Sequence, residues 1–229
     1  MLDVETKRRV LVLGDIHGCD VALAVLLNRL QLTSTDTLVV LGDAVDRGPG
    51  SCRVLEQLVE IRQSSRLIYL MGNHEEMMLE ALGGRRSSMW LRHGGIATLH
   101  SYGGSLANIP DDHLELIEEM LPYWESSTEI CVHASLEPGV DLVDQQPEWL
   151  RWQKLTGLEF PHPSGKRVLC GHSGISTGLP AILDGWICLD TLAYEGGYLT
   201  CLDTSTGEIS QTQQSGTFRG GLLLSDLES

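Results

Sequence analysis

Side chains that can bind metal ions follow five short apolar runs of this 229-residue sequence, each at the point where the run stops. The run at 10–13 leads into Asp15 and His17, and the run at 37–41 leads into Asp43. Oxygen and nitrogen donors of these types suit borderline divalent metals. The candidate ligands are Asp15, His17, Asp43, Asn73, His133 and His172. One Gly-Asp pair after a strand is usually only a turn, so the prediction depends on all five ends together.

The five runs are typical of strands covered on both faces, because they are short and almost continuously apolar. Helical patterns separate the first three runs, one at 21–30 with Asp20 as its N-cap and one at 51–61. Alternating strands and helices indicate βαβ units and a partly parallel sheet. The site of such a sheet lies beyond the carboxyl ends of its strands, so this fold would bring the candidate ligands together.

The rest of the chain carries further helical and strand patterns. Residues 75–123 indicate interrupted helices, the last of them running from Asp111 to Pro122, and later strands are predicted at 181–183, 186–189 and 198–202. A turn at 204–207 leads into another strand, and the tail, 220–229, is predicted to be loosely held. The sequence shows no repeat or linker, which favours one domain over 1–229.

Six ligands are too many for one ion that keeps an open position, but they suffice for two. We assign Asp15 and His17 to one ion and Asn73, His133 and His172 to the other, with the Asp43 carboxylate bridging both. Two ions about 3.5–4 Å apart can hold a bridging hydroxide and support an in-line displacement. This arrangement predicts hydrolysis of a phosphoester or a phosphoanhydride.

Four further residues would complete such a site. Arg47 offers a bidentate donor for phosphate, and Arg151 is a second candidate for that role. His74, next to a predicted ligand, is placed to protonate a leaving alkoxide. Asp46 would orient His74 and favour its charged form.

The composition excludes several classes of protein. Acidic residues outnumber basic ones by 31 to 16, and the net charge of −15 disfavours general binding to nucleic acid or anionic membranes. The six cysteines form no CxxC pair, which favours free thiols in a reducing compartment. The apolar run near the amino terminus is too short for a signal sequence, and no run approaches a membrane span. We therefore predict a cytoplasmic protein, and its charge favours a monomer.

The motifs at the strand ends resemble those of the phosphoprotein phosphatase family of metallophosphoesterases. The matching blocks are GDIHG at 14–18, GDAVDRG at 42–48, GNHE at 72–75, HAS at 133–135 and GHS at 171–173. HAS departs from a glycine that the family often has there, and GHS from the commoner GHT, but neither departure changes a ligand. The chain most resembles the short bacterial and phage-type serine/threonine protein phosphatases.

The resemblance implies an α/β fold in which a central β-sandwich of mixed sheets is flanked by helices, with a dinuclear metal site at one rim. Its ligand assignment is Asp15, His17 and Asp43 for the first metal and Asp43, Asn73, His133 and His172 for the second. It further implies that Arg47 and Arg151 bind phosphate and that His74 and Asp46 form the acid pair. Family members commonly use manganese, and some use iron or zinc.

Three functions are consistent with the resemblance. The first is hydrolysis of phosphoserine and phosphothreonine, and of phosphotyrosine in a broad-specificity member, by attack of a metal-bridging hydroxide. The second is hydrolysis of diadenosine tetraphosphate, which Asp46 and Glu75 disfavour because enzymes of that kind often replace both acids. The third, an inactive metal-bound binding module, should have lost a ligand or an acid, and none is missing. We therefore expect a phosphorylated protein or peptide as partner, and neither nucleic acid nor a membrane.

Overall fold

Three predicted strands form the parallel side of one sheet in the computed structural model, which describes residues 8–227. They are β1 (Val10–Leu13), β2 (Thr37–Val40) and β3 (Arg66–Tyr69). Helices α1 (Asp20–Leu30) and α2 (Ser51–Ser64) connect them. The predicted βαβ units are confirmed.

A group of shorter helices follows β3 and leads to a second sheet. The helices are α3 (Asn73–Leu82), α4 (Ser87–Trp90), α5 (Ile96–Ser101) and α6 (Asp111–Glu118), with a π-helical segment, Leu91–Gly95, between α4 and α5. The second sheet consists of β4 (Tyr123–Glu125), β5 (Glu129–Val132), β6 (Arg167–Cys170), β7 (Ala181–Leu183) and β8 (Trp186–Cys188). Its order is β4-β5-β6-β8-β7, and α7 (Pro147–Trp152) lies between β5 and β6 in the chain.

The last strands return to the first sheet. They are β9 (Asp190–Thr191), β10 (Tyr198–Asp203), β11 (Glu208–Thr212) and β12 (Phe218–Leu223). The strand order is β12-β11-β10-β1-β2-β3, with β9 also paired to β10. Antiparallel β10 beside parallel β1 and β2 makes this a mixed sheet.

The two sheets pack face to face around one apolar core. Val12 and Val39 of the first sheet belong to the same buried cluster as Leu169 and Ile187 of the second. The outer face of the first sheet packs against the helices, and the outer face of the second packs against Leu150 of α7. The structure therefore confirms the expected sandwich of mixed sheets between helices.

The tail was predicted wrongly. Residues 218–223 form β12, which pairs with β11, and Leu224 is almost fully buried. Contact with Arg29, whose guanidinium lies 5.0 Å from the Phe218 ring centre, also holds this segment. The prediction failed because two glycines and mixed polarity obscure the strand. Residues 228–229 of the predicted tail lie outside the described range.

Two predicted helix ends were also displaced. Helix α1 begins at Asp20 and its cap position is Cys19, while the Gln214 side chain accepts hydrogen bonds from the Val21 and Ala22 amides. A cap supplied from so far along the chain leaves no local signal. Helix α6 ends at Glu118, before the proline that was expected to stop it.

All six cysteines are free thiols. Within residues 8–227, no helix is both long enough and apolar enough to cross a membrane.

Asp36 fixes the start of β2 to the start of β1, and its replacement by asparagine should destabilise the fold. Its carboxylate accepts hydrogen bonds from Arg9 Nε and Nη2, at 3.1 and 2.6 Å, and from Thr33. Hydrogen bonding to Arg9 is the main cause that lowers the pKa of Asp36 to about 2.

A lowered folded-state pKa stabilises the fold above the unfolded pKa of about 4, and this contribution disappears as pH falls through about 2. We expect Asp36→Asn to lose about 2 kcal/mol at pH 7. Urea unfolding at several pH values should show the difference shrinking below pH 4, and a constant difference would contradict this account.

Candidate dinuclear metal site and active site

The loops after β1, β2 and β6 hold their residues in left-handed backbone conformations. Within residues 8–227, eight non-glycine residues have positive φ. Five of the eight lie in these loops, with φ between 46° and 71°: His17, Asp43, Asp46, Arg47 and His172. Such strain is concentrated at functional sites, where the surrounding structure maintains it. A Cβ at Gly72 would collide with the Asp43 carboxylate, which explains the glycine before Asn73.

Asp43 lies at the centre of the candidate metal site. Its Oδ2 is 3.5 Å from His17 Nε2, and its Oδ1 is 3.5 Å from His133 Nε2. Two groups of possible ligands share Asp43, one with His17 and His74 and the other with His133 and His172, and the ligand atoms of each group lie within 4.8 Å of one another. The two carboxylate oxygens thus face different groups, as a bridging ligand requires.

Each predicted histidine ligand is oriented by a backbone carbonyl. His17 Nδ1 lies 3.0 Å from the Val45 oxygen, and His133 Nδ1 lies 2.9 Å from the Leu41 oxygen. His172 uses its other nitrogen, since Nε2 is 3.1 Å from the Trp152 oxygen. In a neutral imidazole, the ring nitrogen that donates to a carbonyl carries the only proton. The other nitrogen is then free to bind a metal ion, as in metal-binding histidines.

The other two predicted ligands lie in the same cluster. Asn73 Oδ1 is 3.1 Å from His133 Nε2. Asp15 Oδ2 is 4.0 Å from His17 Nε2, and the Asp15 carboxylate accepts hydrogen bonds from the His172 amide. The structure therefore brings all six predicted ligands together from five strand ends.

Burial and the interactions of these side chains with one another set their ionisation. It lowers the pKa of His17 to about 3 and that of His172 to about 4, and it also lowers the pKa of His133. Burial acts to raise the pKa of Asp43, but the surrounding histidines, led by His133, lower it overall. At pH 7 the three imidazoles are neutral and Asp43 is ionised, which are the forms that bind metal.

Asp190 is a buried carboxylate that sequence reasoning missed. Burial and then the charges of Asp190 and Asp43 raise the pKa of Asp15 well above its usual range. Burial likewise raises the pKa of Asp190 to about 6. Buried carboxylates whose charges act on one another in this way are unfavourable unless a cation compensates them. Carboxylates, neutral imidazoles and an amide oxygen therefore fit two divalent cations.

His74 and Asp46 form the predicted pair. His74 Nδ1 is 2.7 Å from Asp46 Oδ2, and Asp46 is fully buried. Trp90 Nε1 donates to both oxygens of Asp46 at 3.0 Å, and Thr98 Oγ1 donates to Oδ1 at 2.7 Å. Although burial opposes it, the charge of Asp43 and the bond to Asp46 raise the pKa of His74. Trp90 and Thr98 were missed because they lie more than forty residues from Asp46, in a region without a motif.

Comparison with protein-family models also indicates a metal-dependent phosphoesterase. The model described as calcineurin-like phosphoesterase matches residues 8–198. The chain belongs to this family. It is a metallophosphoesterase, and its clustered aspartates and histidines are the residues that could bind the metal ions.

Proteins similar to this phosphoesterase are named for different substrates. Serine/threonine-protein phosphatase 1 of Salmonella typhimurium is 31% identical over 184 residues, which cover 76% of this chain and 77% of the relative. A symmetrical bis(5'-nucleosyl)-tetraphosphatase of Delftia acidovorans is 34% identical over 159 residues, covering 61% of this chain but only 54% of the relative. A solved structure of a cold-active protein tyrosine phosphatase, 17% identical, matches the fold with a TM-score of 0.68 over 95% of this chain and 80% of its own.

Arg47 lies at the mouth of the site between His74 and an aromatic residue that sequence reasoning missed. Its Nη2 is 3.1 Å from His74 Nε2, and its Nη1 donates to the Tyr194 hydroxyl. The guanidinium also lies over the Tyr194 ring, at 4.5 Å, and this ring packs edge-to-face against His17 at 4.9 Å. Tyr194 lies between β9 and β10, where the sequence showed no motif.

Arg151, the second candidate for binding phosphate, also reaches the site. It lies in the last turn of α7, and its charge contributes to the lowered pKa of His133. Its Nη1 donates to Glu76 Oε1 at 2.7 Å. The structure thus places both predicted arginines beside the candidate ligands.

Glu75 holds the loop that carries Asp43 and does not face the cleft. Its carboxylate accepts the amides of Asp43 at 2.9 Å and Ala44 at 2.7 Å, as well as the Tyr69 hydroxyl at 2.9 Å. Glu75 is fully buried, so it can influence substrates only through this loop.

Replacing Glu75 with glutamine should therefore destabilise the fold and the site together. The amide nitrogen of glutamine cannot accept a hydrogen bond, so buried N–H groups would lose their partner at a cost of about 2–3 kcal/mol. Urea unfolding measures the loss, with Glu80→Gln on the same helix as the control. Equal stability of Glu75→Gln and the unmodified protein would contradict this role.

Proposed function

We propose that this phosphoesterase is a phosphoprotein phosphatase that hydrolyses phosphoserine and phosphothreonine monoesters, and phosphotyrosine as well. The observation that carries the proposal is the buried Asp46–His74 pair, which Trp90 and Thr98 complete. A serine or threonine alkoxide is a strongly basic leaving group and needs a proton as the ester bond breaks. A histidine held by a buried carboxylate is suited to supply it.

The residues around this pair have complementary tasks. Arg47 and Arg151 would bind the phosphate oxygens, since guanidinium groups match phosphate geometry. Divalent cations on the predicted ligands would polarise the phosphoryl group and lower the pKa of a water molecule. Arg47 now donates to His74 Nε2, so Arg47 must turn to the substrate before that nitrogen can carry the proton to be transferred.

Hydrolysis of bis(5'-nucleosyl) tetraphosphates is the second candidate, because several relatives carry that activity in their names. The leaving group of that reaction is a nucleotide phosphate, which is a weak base and needs little protonation. A buried acid pair contributes little to such a reaction, so its presence favours the monoester. The relative named as a protein phosphatase also aligns over more of both chains.

The proposal includes the conditions under which the enzyme works. Manganese is the proposed native metal, with iron or zinc as alternatives, because the donor set suits borderline divalent ions. The proposed partner is a phosphorylated protein or peptide, which a monomer in the cytoplasm would bind. The six free thiols support that location.

A comparison of substrates tests the proposal. Apo-protein reloaded with manganese would receive a phosphoserine peptide, a phosphotyrosine peptide and diadenosine tetraphosphate. We expect turnover of the peptides, with kcat/KM at least about tenfold above that of the dinucleotide. A preference for the dinucleotide would leave the metal site in place and overturn the argument from the acid pair.

A further inference from the structure

Glu76 of α3 joins this helix to the end of α7. Its Oε1 accepts a hydrogen bond from Arg151 Nη1 at 2.7 Å, and its Oε2 accepts one from Trp152 Nε1 at 2.6 Å. Both oxygens are therefore occupied, and the carboxylate is held between two neighbouring side chains. Glu76 lies two residues after His74, so the contact forms at the edge of the active site.

This contact leaves part of the Arg151 guanidinium unused. Among residues 8–227, Arg151 Nε is the one buried side-chain nitrogen or oxygen without a hydrogen-bond partner. Glu76 binds only Nη1, so Nε and Nη2 remain as an adjacent pair of donors. Such a pair matches two oxygens of a phosphate group. An unpaired buried donor is costly, and contact between Nε and a phosphate oxygen would remove that cost.

The end of α7 is also attached to the loops that carry two metal ligands. The Leu150 oxygen accepts a hydrogen bond from the Ala134 amide, next to His133, at 2.9 Å. The Trp152 oxygen lies 3.1 Å from His172 Nε2. Arg151 is therefore fixed at its backbone by the site and at its guanidinium by Glu76.

We propose that Glu76 is a positioning residue that orients Arg151 so that Nε and Nη2 bind the substrate phosphate. The inference rests on the proposed function, because it assigns the phosphate group to this site. Arginine has many rotamers, and restraining it in advance removes an entropic cost that binding would otherwise carry. The carboxylate leaves the two phosphate-facing donors free, because its second oxygen is occupied by Trp152.

Binding of inorganic phosphate to the manganese-loaded protein, measured by calorimetry, tests this role without relying on turnover. We expect Glu76→Ala to weaken phosphate binding about two- to tenfold, which is the cost of ordering one long side chain. Arg151→Ala should weaken it about a hundredfold. The double variant should bind as weakly as Arg151→Ala alone, because Glu76 acts only through Arg151. Glu76→Gln, which keeps one acceptor, should lie between Glu76→Ala and the unmodified protein.

Glu80→Gln is the matched control, since Glu80 lies one turn further along α3, has a similar exposure and pairs with Arg86 at 3.6 Å. It should bind phosphate like the unmodified protein. Multiplicative effects in the double variant, or unchanged binding in Glu76→Ala, would overturn the role of Glu76. Tighter binding in Glu76→Ala would also overturn it, by showing that the carboxylate competes with phosphate. Phosphate binding with this pattern but without turnover of phosphopeptides would refute the proposed function and leave the role of Glu76 standing.

Discussion

Replacing His74 with asparagine should lower kcat for a phosphoserine peptide by about a thousandfold, which is within the range of a general acid. The same variant should lose far less activity on p-nitrophenyl phosphate, because p-nitrophenolate leaves without protonation. The reason is structural: His74 Nδ1 is tied to Asp46, so only Nε2 can face the leaving oxygen. Steady-state kinetics of the two substrates at the same pH and metal concentration measure the difference.

His113→Asn is the control for the loss of a buried imidazole. His113 is as buried as His74, but it lies in α6 and hydrogen-bonds to the Tyr102 hydroxyl at 2.8 Å, away from the candidate ligands. The His113→Asn variant should leave the ratio of activity on the phosphoserine peptide to activity on p-nitrophenyl phosphate unchanged. Equal losses on both substrates in the His74 variant would show that His74 binds or orients the phosphate and does not protonate the leaving group.

The metal site was predictable because its signal is local and repeated. Each apolar run predicts a buried strand, each strand end carries a donor, and parallel topology places the ends at one edge. The two histidines with the largest sequence separation, His17 and His172, therefore meet near Asp43 in the structure. The predicted strands β1 to β3 and the helices between them follow from the same regularity.

The residues that support the site were not predictable in this way. Trp90, Thr98 and Glu76 act through side-chain contacts with partners 44 to 76 positions away in the sequence. Their helices contain the usual mixture of apolar and polar residues, so nothing distinguishes them before the chain is folded. Glu75 was noted in the sequence, but its binding to the Asp43 loop became evident only from the structure.

The largest expected effect is that of Asp43→Asn, which should lower phosphatase activity by at least about a thousandfold while leaving the fold intact. Asn tolerates the left-handed conformation that Asp43 adopts at φ 49°, so the backbone should not change. The remaining Oδ1 can still accept the His74 amide, now at 3.0 Å. What is lost is the negative charge between the two histidine groups, and a neutral amide cannot bridge two cations with both of its terminal atoms.

Metal content and stability distinguish this loss from unfolding. We expect the Asp43→Asn protein to retain fewer than two metal ions per chain by elemental analysis and to unfold in urea close to the unmodified apo-protein. Asp203→Asn is the control, because Asp203 is a buried carboxylate at the end of β10, paired opposite Leu11 at the start of β1 and so away from the site. It should keep full metal content and activity. Full activity of Asp43→Asn would refute the bridging role and, with it, the division of the six ligands between two ions.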